Sequence, residues 1–328
     1  MTTRPVLGPS RRTVMTGAAA LAAVPLIPPA RAAAPMLGVS QPTHYRFKLG
    51  DFEVTTISDS NVFIDGPWPL IGKNATEADV AQLMHDNLLP STKYQPGFTP
   101  VVVNTGSQII LFDAGNGERG FVPRPAGGWL AAQLAPAGFK PEDIDVVVLS
   151  HGHPDHIGGL REKGKPLFPN ARYAIAGIEY DFWSPEGKHS GDLENFSALF
   201  RDYVVPLAEK ITFLKGGDDV APGIRAVASP GHTPGHLSFR IESAGKELFV
   251  LGDLAHHHVA SLAQPDWHCV FDVDPEAGAR ARKRTFDMLA SERVAVCAYH
   301  MPFPSIGYVT RREGGGFAWL PHSYQLNL

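Results

Sequence analysis

His151-Gly152-His153-Pro154-Asp155-His156 is the stretch whose reading decides the fold. It follows Ile144-Asp145-Val146-Val147-Val148-Leu149, whose length and β-branching predict a buried strand. Three imidazoles and a carboxylate therefore crowd the carboxyl end of one strand. On extended backbone His151 and His153 can point to the same side. Past the turn at Pro154, Asp155 and His156 can face a neighbouring point. Imidazole nitrogen and carboxylate oxygen suit zinc and similar ions, so the loop offers ligands for two metals rather than one. A single histidine here would read as a satisfied loop residue, but four ligand-type residues in six positions do not.

The same phrase, an apolar strand followed by a ligand, recurs downstream. Asp253 ends Leu248-Phe249-Val250-Leu251-Gly252, and His300 follows Val294-Ala295-Val296-Cys297-Ala298-Tyr299. His232 lies in the tight loop Ser229-Pro230-Gly231-His232-Thr233-Pro234-Gly235-His236. Each alone is weak, since Gly-Asp at a strand end is usually a turn. Together they describe a site built at one edge of sheets.

Strands come in pairs: Tyr45–Leu49 with Phe52–Ile57, Val101–Asn104 with Gln108–Phe112, Leu237–Ile241 with Leu248–Leu251, and a last hairpin around Gly314-Gly315-Gly316. Single strands are expected at Arg172–Ile175, Ile224–Ala228 and Val294–Ala298. Helices are expected over Thr76–Leu89, Gly127–Gly138, Gly177–Trp183, Leu193–Lys210 and Pro275–Ser291. Without strict βαβ alternation, this order predicts an α/β (α+β) chain with helices outside a two-sheet sandwich.

The 328 residues, 44% hydrophobic and 19% charged, exclude a disordered or fibrous chain and suffice for a core without disulfides. Net charge is −4. The first 32 residues hold four arginines and no acid, which leaves the rest more acidic and argues against nucleic-acid or anionic-lipid partners. Ser10-Arg11-Arg12, the apolar stretch Gly17–Ile27 and Ala30-Arg31-Ala32 read as a twin-arginine-type signal peptide over residues 1–32, cleaved near Ala32. The alternative is an Ala/Pro-rich tail. The expectation is a periplasmic protein using the twin-arginine export machinery. Residues 33–43 form a linker, residues 44–328 a single catalytic domain, and no segment spans a membrane. Cys269 and Cys297 could pair in an oxidising compartment or stay as buried thiols; sequence leaves both open.

The His-x-His-x-Asp-His loop, followed by a His, an Asp and a His on later strands, resembles the metallo-β-lactamase superfamily over essentially all of residues 43–328. Within it, Leu49-Gly50-Asp51-Phe52-Glu53, Phe182-Trp183, the His232 loop and Phe303-Pro304-x-Ile306-Gly307 are similar to the methyl parathion hydrolase-like branch. The resemblance implies an αββα metallo-β-lactamase sandwich with a dinuclear metal site at the sheet edge. His151, His153 and His232 would hold one divalent ion, and Asp155, His156 and His300 the other. Asp253 would bridge them. Zinc is expected, with manganese, iron or cobalt as alternatives. Asp113 would support the metal loop without binding metal. Asp253 argues against true β-lactamases of this fold, which lack the bridging aspartate.

The implied chemistry is hydrolysis by a bridging water activated between two metals, with Asp155 or Asp253 orienting the nucleophile. No Gly-x-Ser-x-Gly elbow offers a serine alternative. The acidic ligand set suits a small neutral apolar substrate, so aryl or alkyl esters and lactones are expected first and organophosphate triesters second. A non-catalytic metal-binding periplasmic protein is the reading from another class. In the resembling branch, Phe182-Trp183 and neighbouring loops wall the leaving-group pocket. Trp183, Phe182, Phe121, Phe196 and His256 are therefore the pocket candidates. Many lactone hydrolases of this superfamily carry a tyrosine near His256; here His256 either donates to the developing charge or, with His257 and His258, forms a solvated rim. A homodimer is a further expectation.

Overall fold

The computed structural model describes residues 34, 36–38 and 40–323. The signal-peptide reading over residues 1–32 lies outside them. From Pro42 on, the described residues form one compact unit.

Two seven-stranded sheets carry the fold. The first contains β1 (His44–Leu49), β2 (Phe52–Ile57), β5 (Val101–Asn104), β6 (Ile109–Phe112), β7 (Val146–Val148), β10 (Arg172–Ala176) and β11 (Ile211–Leu214), in that spatial order. It is antiparallel from β1 to β6 and parallel from β6 to β11. The second runs β12 (Asp219–Ala221), β13 (Ile224–Ala228), β14 (Leu237–Ser243), β15 (Lys246–Val250), β16 (Ala295–Cys297), β17 (Ile306–Arg311), β18 (Phe317–Pro321). Only its β15–β16 pair is parallel. Two short hairpins sit apart: β3 (Ile64–Asp65) with β4 (Lys93–Tyr94), and β8 (Arg161–Glu162) with β9 (Lys165–Pro166).

Alternation along the strands explains the layering. Val101, Val103, Ile110, Phe112, Val146 and Val148 face the second sheet, meeting Ala226, Phe239, Ile241, Leu248 and Val250. Val102, Leu111 and Val147 point outward, against a layer that includes Leu130, Leu134, Leu199 and Phe200. On the other outer side Phe249 and Val296 pack with Phe286 and Leu289 of the Pro275–Glu292 helix. The central strands are apolar on both faces because both are covered. The result is the expected helix–sheet–sheet–helix sandwich.

Local chemistry sets the helix ends. Thr76 caps the Glu77–Asp86 helix, accepting from Asp79 N while Asp79 reaches back to the cap backbone. Asp274 caps the Pro275–Glu292 helix. The helix expected over Gly127–Gly138 shrinks to Leu130–Leu134. Gly128 has a φ of +68°, and Pro136 can supply no amide hydrogen. The helix expected over Leu193–Lys210 divides into Asp192–Tyr203 and a 3-10 segment at Val205–Lys210, where Pro206 interrupts the ladder. The cysteines do not pair: Cys297 is in the inter-sheet core and Cys269 in a separate cluster with Ile71 and Met84. No helix among the described residues is long and apolar enough to cross a membrane.

Candidate metal centre

The carboxyl ends of β2, β6, β7, β13, β15 and β16 open onto one edge of the sandwich, and each delivers a polar residue there. Beyond β7 the chain passes through His151 and His153 into the one-turn helix Pro154–Ile157, which carries Asp155 and His156. After β15, Gly252 turns with a φ of +61°, and a Cβ there would stand 2.6 Å from His236 Nε2. The turn therefore requires glycine. It lets Asp253 N donate to His236 Nε2 at 2.9 Å.

All seven expected ligands converge and are buried. His232 Nε2 lies 3.1 Å from His151 Nε2, 2.9 Å from His153 Nδ1 and 3.5 Å from Asp253 Oδ2. On the other side His300 Nε2 lies 2.9 Å from Asp253 Oδ2 and 3.5 Å from Asp155 Oδ2. His156 Nε2 completes this group, 3.4 Å from Asp155 Oδ2 and 3.3 Å from Asp253 Oδ1. Asp253 belongs to both groups.

The hydrogen-bond partners fix the tautomers. His156 Nδ1 meets Asp113 Oδ2 at 2.9 Å, His232 Nδ1 meets Asp272 Oδ1 at 2.9 Å, and His300 Nδ1 meets the Gly97 carbonyl at 2.8 Å. Carboxylates and carbonyls only accept, so each Nδ1 carries the hydrogen. Ser150 Oγ donates to Asp113 and so accepts from His151 Nδ1 at 3.0 Å. With neutral rings, four Nε2 lone pairs therefore point at each other and at two carboxylates. His156 Nε2 and Asp253 Oδ1 are buried with no hydrogen-bond partner. Only cations reconcile such a set, so these residues fit two divalent ions.

The electrostatics agree. Burial pushes His151, His153 and His232 well below the ordinary imidazole value, leaving neutral ligands. Burial opposes charge at Asp253 too, but His156 and His300 outweigh it and hold the carboxyl well below the usual range. In the ion-free chain Asp253 and Asp155 conversely raise His156 and His300 against burial. Protons on these two imidazoles must leave when ions enter. Metal affinity is therefore expected to fall as pH drops through the raised values of these two imidazoles, with protons released on loading. Calorimetric titration of zinc in buffers of different ionisation enthalpy reads this directly; loading without proton release would contradict it.

Three supports were not foreseen from sequence. Glu179 is fully buried in the Gly177–Trp183 helix and accepts from Gly152 N at 2.9 Å, Trp183 Nε1 at 2.6 Å, Thr233 Oγ1 at 2.8 Å and Gly235 N at 2.9 Å. It ties the His151 loop to the His232 loop. Burial raises its carboxyl, and the four donors oppose that rise. Arg282 donates to Asp272 Oδ2 at 3.2 Å and to the carbonyls of Leu254, Pro265 and Trp267, so it braces the carboxylate behind His232. Asp59, just past β2, accepts from Asn116 N and Nδ2 and from Leu130 N. The "strand, then acid" phrase could have found Asp59. Nothing local marks Glu179 or Arg282. Asp113, expected as a support, accepts from His156 Nδ1 and from Ser150.

A cavity of about 140 Å³ opens over His153, Asp155, Asp253 and His300, walled by Ile64, Tyr94, Pro96, Phe98, Phe121, Val122, His256 and Phe271. Of the pocket candidates, Phe121 and His256 line it. Trp183 does not: it is 0% exposed and stands behind His153, because its indole is drawn to Glu179. Phe182 packs against Trp183 and His189, and Phe196 backs Phe121 and His153 from outside the wall. The solvated-rim alternative fails for His256 and His257, each 4% exposed. Both ring nitrogens of His256 lack a hydrogen-bond partner, with Nε2 3.5 Å from Asp253 Oδ2. Ile64 and Tyr94, paired in the β3–β4 hairpin, and Phe98 were not expected, because they lie far in sequence from the ligand motifs.

Comparison with known proteins gives a consistent picture. A family model described as the metallo-beta-lactamase superfamily matches residues 99–295. An N-acyl homoserine lactonase of a Bacillus species is 32% identical over 111 residues, 34% of this chain and 38% of that relative, so the match spans well under half of the relative's length. Among solved structures, AidC, a dizinc quorum-quenching lactonase in complex with a product, superposes with a TM-score of 0.79 at 28% identity, covering 86% of this chain and 98% of that one. The hydrolase AbOPH of the beta-lactamase superfamily gives 0.79 at 25% identity, covering 87% and 99%.

Proposed function

Because the chain belongs to the metallo-beta-lactamase superfamily, we propose that it is a dinuclear metal-dependent hydrolase opening lactones and cleaving esters with apolar alkyl or aryl groups. One observation carries this: two inward-facing donor sets sharing Asp253 form the floor of an apolar cavity. The likeness to lactonases supports the carbonyl substrate, and that to a dizinc enzyme supports zinc.

Two divalent ions would supply Lewis acidity and an activated water at neutral pH. The chain's own part is positioning. His151, His153 and His232 present neutral nitrogens on one side, and Asp155, His156 and His300 complete the other. Asp155 and Asp253 offer carboxylate oxygens at the cavity floor to orient the attacking water and take its proton. His256, in the wall beside Asp253, has one ring N–H free to donate to oxygen charge developing above the floor. Phe98, Phe121 and Phe271 exclude bulk water and select neutral groups. A cysteine nucleophile has no place here, since burial raises the Cys269 thiol well above its ordinary value.

The methyl parathion hydrolase-like resemblance makes phosphotriesters the second substrate class, since apolar walls also suit an uncharged triester. The test is kcat/KM of the metal-loaded protein on an aryl-bearing lactone and a dialkyl aryl phosphotriester, side by side. A lactone preference supports the first reading and the reverse assigns the second. Turnover of neither sinks both. Export through the twin-arginine machinery is proposed on the Arg11-Arg12 pair and the apolar stretch behind it. Replacing both arginines by lysine is expected to retain the precursor inside the cell; unchanged export would refute that route.

A further inference from the structure

His256, Cys269 and Asp272 bring an imidazole nitrogen, a thiol sulfur and a carboxylate oxygen within 4.8 Å of one another beside the metal centre, and all three residues are buried. Cys269 and Asp272 belong to neither of the donor sets that share Asp253. His256 is 4% exposed, and neither of its ring nitrogens has a hydrogen-bond partner. A neutral imidazole carries one hydrogen, so one of these nitrogens is a buried lone pair that faces no donor. Burying such an acceptor costs free energy that a cation recovers. Asp272 has capacity to spare. Its Oδ1 accepts from His232 Nδ1 at 2.9 Å and its Oδ2 from Arg282 Nη2 at 3.2 Å, whereas a carboxylate has about four lone-pair positions. The sulfur is the distinguishing donor. Burial and the Asp272 charge keep the Cys269 thiol protonated in the ion-free chain, while the Phe271 N–H donates to the sulfur. Cys297, by contrast, packs among apolar residues of the inter-sheet core and joins no donor cluster among the described residues.

We propose that His256, Cys269 and Asp272 form a third cation site, distinct in its ligands from the dinuclear centre and selective for thiophilic ions such as cadmium and zinc. On binding, the Cys269 S–H bond breaks, its proton leaves to solvent, and the sulfur gives its electron pair to the ion. His256 gives its bare nitrogen and Asp272 an unshared carboxylate lone pair. Three protein donors leave a fourth position for water. Because His256 also lines the cavity over the centre, with Nε2 3.5 Å from Asp253 Oδ2, an ion here ties up the ring beside Asp253. That consequence for turnover rests on the hydrolase reading, whereas the site itself does not.

The test is a cadmium titration of the zinc-loaded protein, equilibrated to constancy. It is read by ultraviolet thiolate-to-cadmium charge transfer and by elemental analysis of both metals. The dinuclear donor sets contain no sulfur, so this absorption does not arise there. Wild type is expected to gain it together with a third ion per chain. Cys269→Ser should lose both and keep two ions, and Cys297→Ser should lose neither. His256→Phe fills the same buried space without a nitrogen and should weaken cadmium at the sulfur by about 100-fold. Absence of the absorption in wild type at saturating cadmium overturns the site. So does absorption of unchanged affinity in His256→Phe, which reports a bare thiol. These two results decide the matter even where Cys269→Ser fails to fold. In the turnover assay the third ion is expected to lower kcat/KM by about tenfold in wild type and by less than about twofold in Cys269→Ser. Equal inhibition of the two overturns the coupling to the cavity. A protein that turns over neither lactone nor phosphotriester but gains the His256-dependent absorption loses the hydrolase reading and keeps the third site.

Discussion

Asp253→Ala is expected to leave the purified protein with at most one metal ion per chain and to lower kcat/KM by at least about 10³-fold. Asp253 is the one residue in both donor sets, with Oδ2 2.9 Å from His300 Nε2 and 3.5 Å from His232 Nε2, and Oδ1 3.3 Å from His156 Nε2. Removing it takes a ligand from each ion at once. It also removes the carboxylate whose field, with that of Asp155, raises His156 and His300. The loss of several kcal/mol of electrostatic stabilisation is what the fold-change expresses. His153→Ala should also abolish hydrolysis and shed metal, acting through one donor set only. Elemental analysis after dialysis, with turnover on the preferred substrate, checks both. An Asp253→Ala protein that keeps two ions and wild-type turnover would remove the shared-ligand account.

Glu179→Ala is expected to destabilise the fold by about 3–6 kcal/mol and to loosen both metal loops. The carboxylate satisfies four buried donors, from Gly152, Trp183, Thr233 and Gly235. Each orphaned donor costs about 1–3 kcal/mol, reduced where water can enter. No side chain from elsewhere can easily replace it, since a Cβ on Gly152 would already stand 2.5 Å from Trp183 Cδ1. Glu179→Gln should fall between the two, because its amide group turns two hydrogens toward a pair of donors. Denaturant unfolding of the metal-depleted proteins separates the structural cost from lost metal. A Glu179→Ala protein as stable as wild type and equally able to bind metal would show that the two loops hold their places unaided.

The candidate metal centre was legible because most of its donor residues share one local rule, a β-branched or apolar strand followed by a histidine or aspartate. That rule is written in consecutive residues at His151–His156, Asp253 and His300, and the strand pairs that align those ends are equally local. Helix ends were legible where a cap marked them, as at Thr76 and Asp274. They were misplaced at Gly127–Gly138 and Leu193–Lys210, where apolar spacing runs on past a proline. Trp183 shows the limit of reasoning by proximity to a motif. Its indole faces inward because Glu179, four residues earlier, accepts its hydrogen.

What the sequence by itself determined is the architecture and the set of atoms able to bind metal, since both follow from periodicity and side-chain chemistry along short stretches. The tertiary structure alone decided which protons those atoms carry and which groups surround the substrate. Asp272 and Glu179 act across long sequence separations, and Arg282 reaches back to the Leu254 carbonyl beside Asp253. The cavity wall joins Ile64 and Tyr94, paired in the β3–β4 hairpin, to Phe121 and Phe271 from other segments of the chain. Burial shifts the imidazoles and orients their hydrogens, and burial exists only once the two sheets have closed on each other.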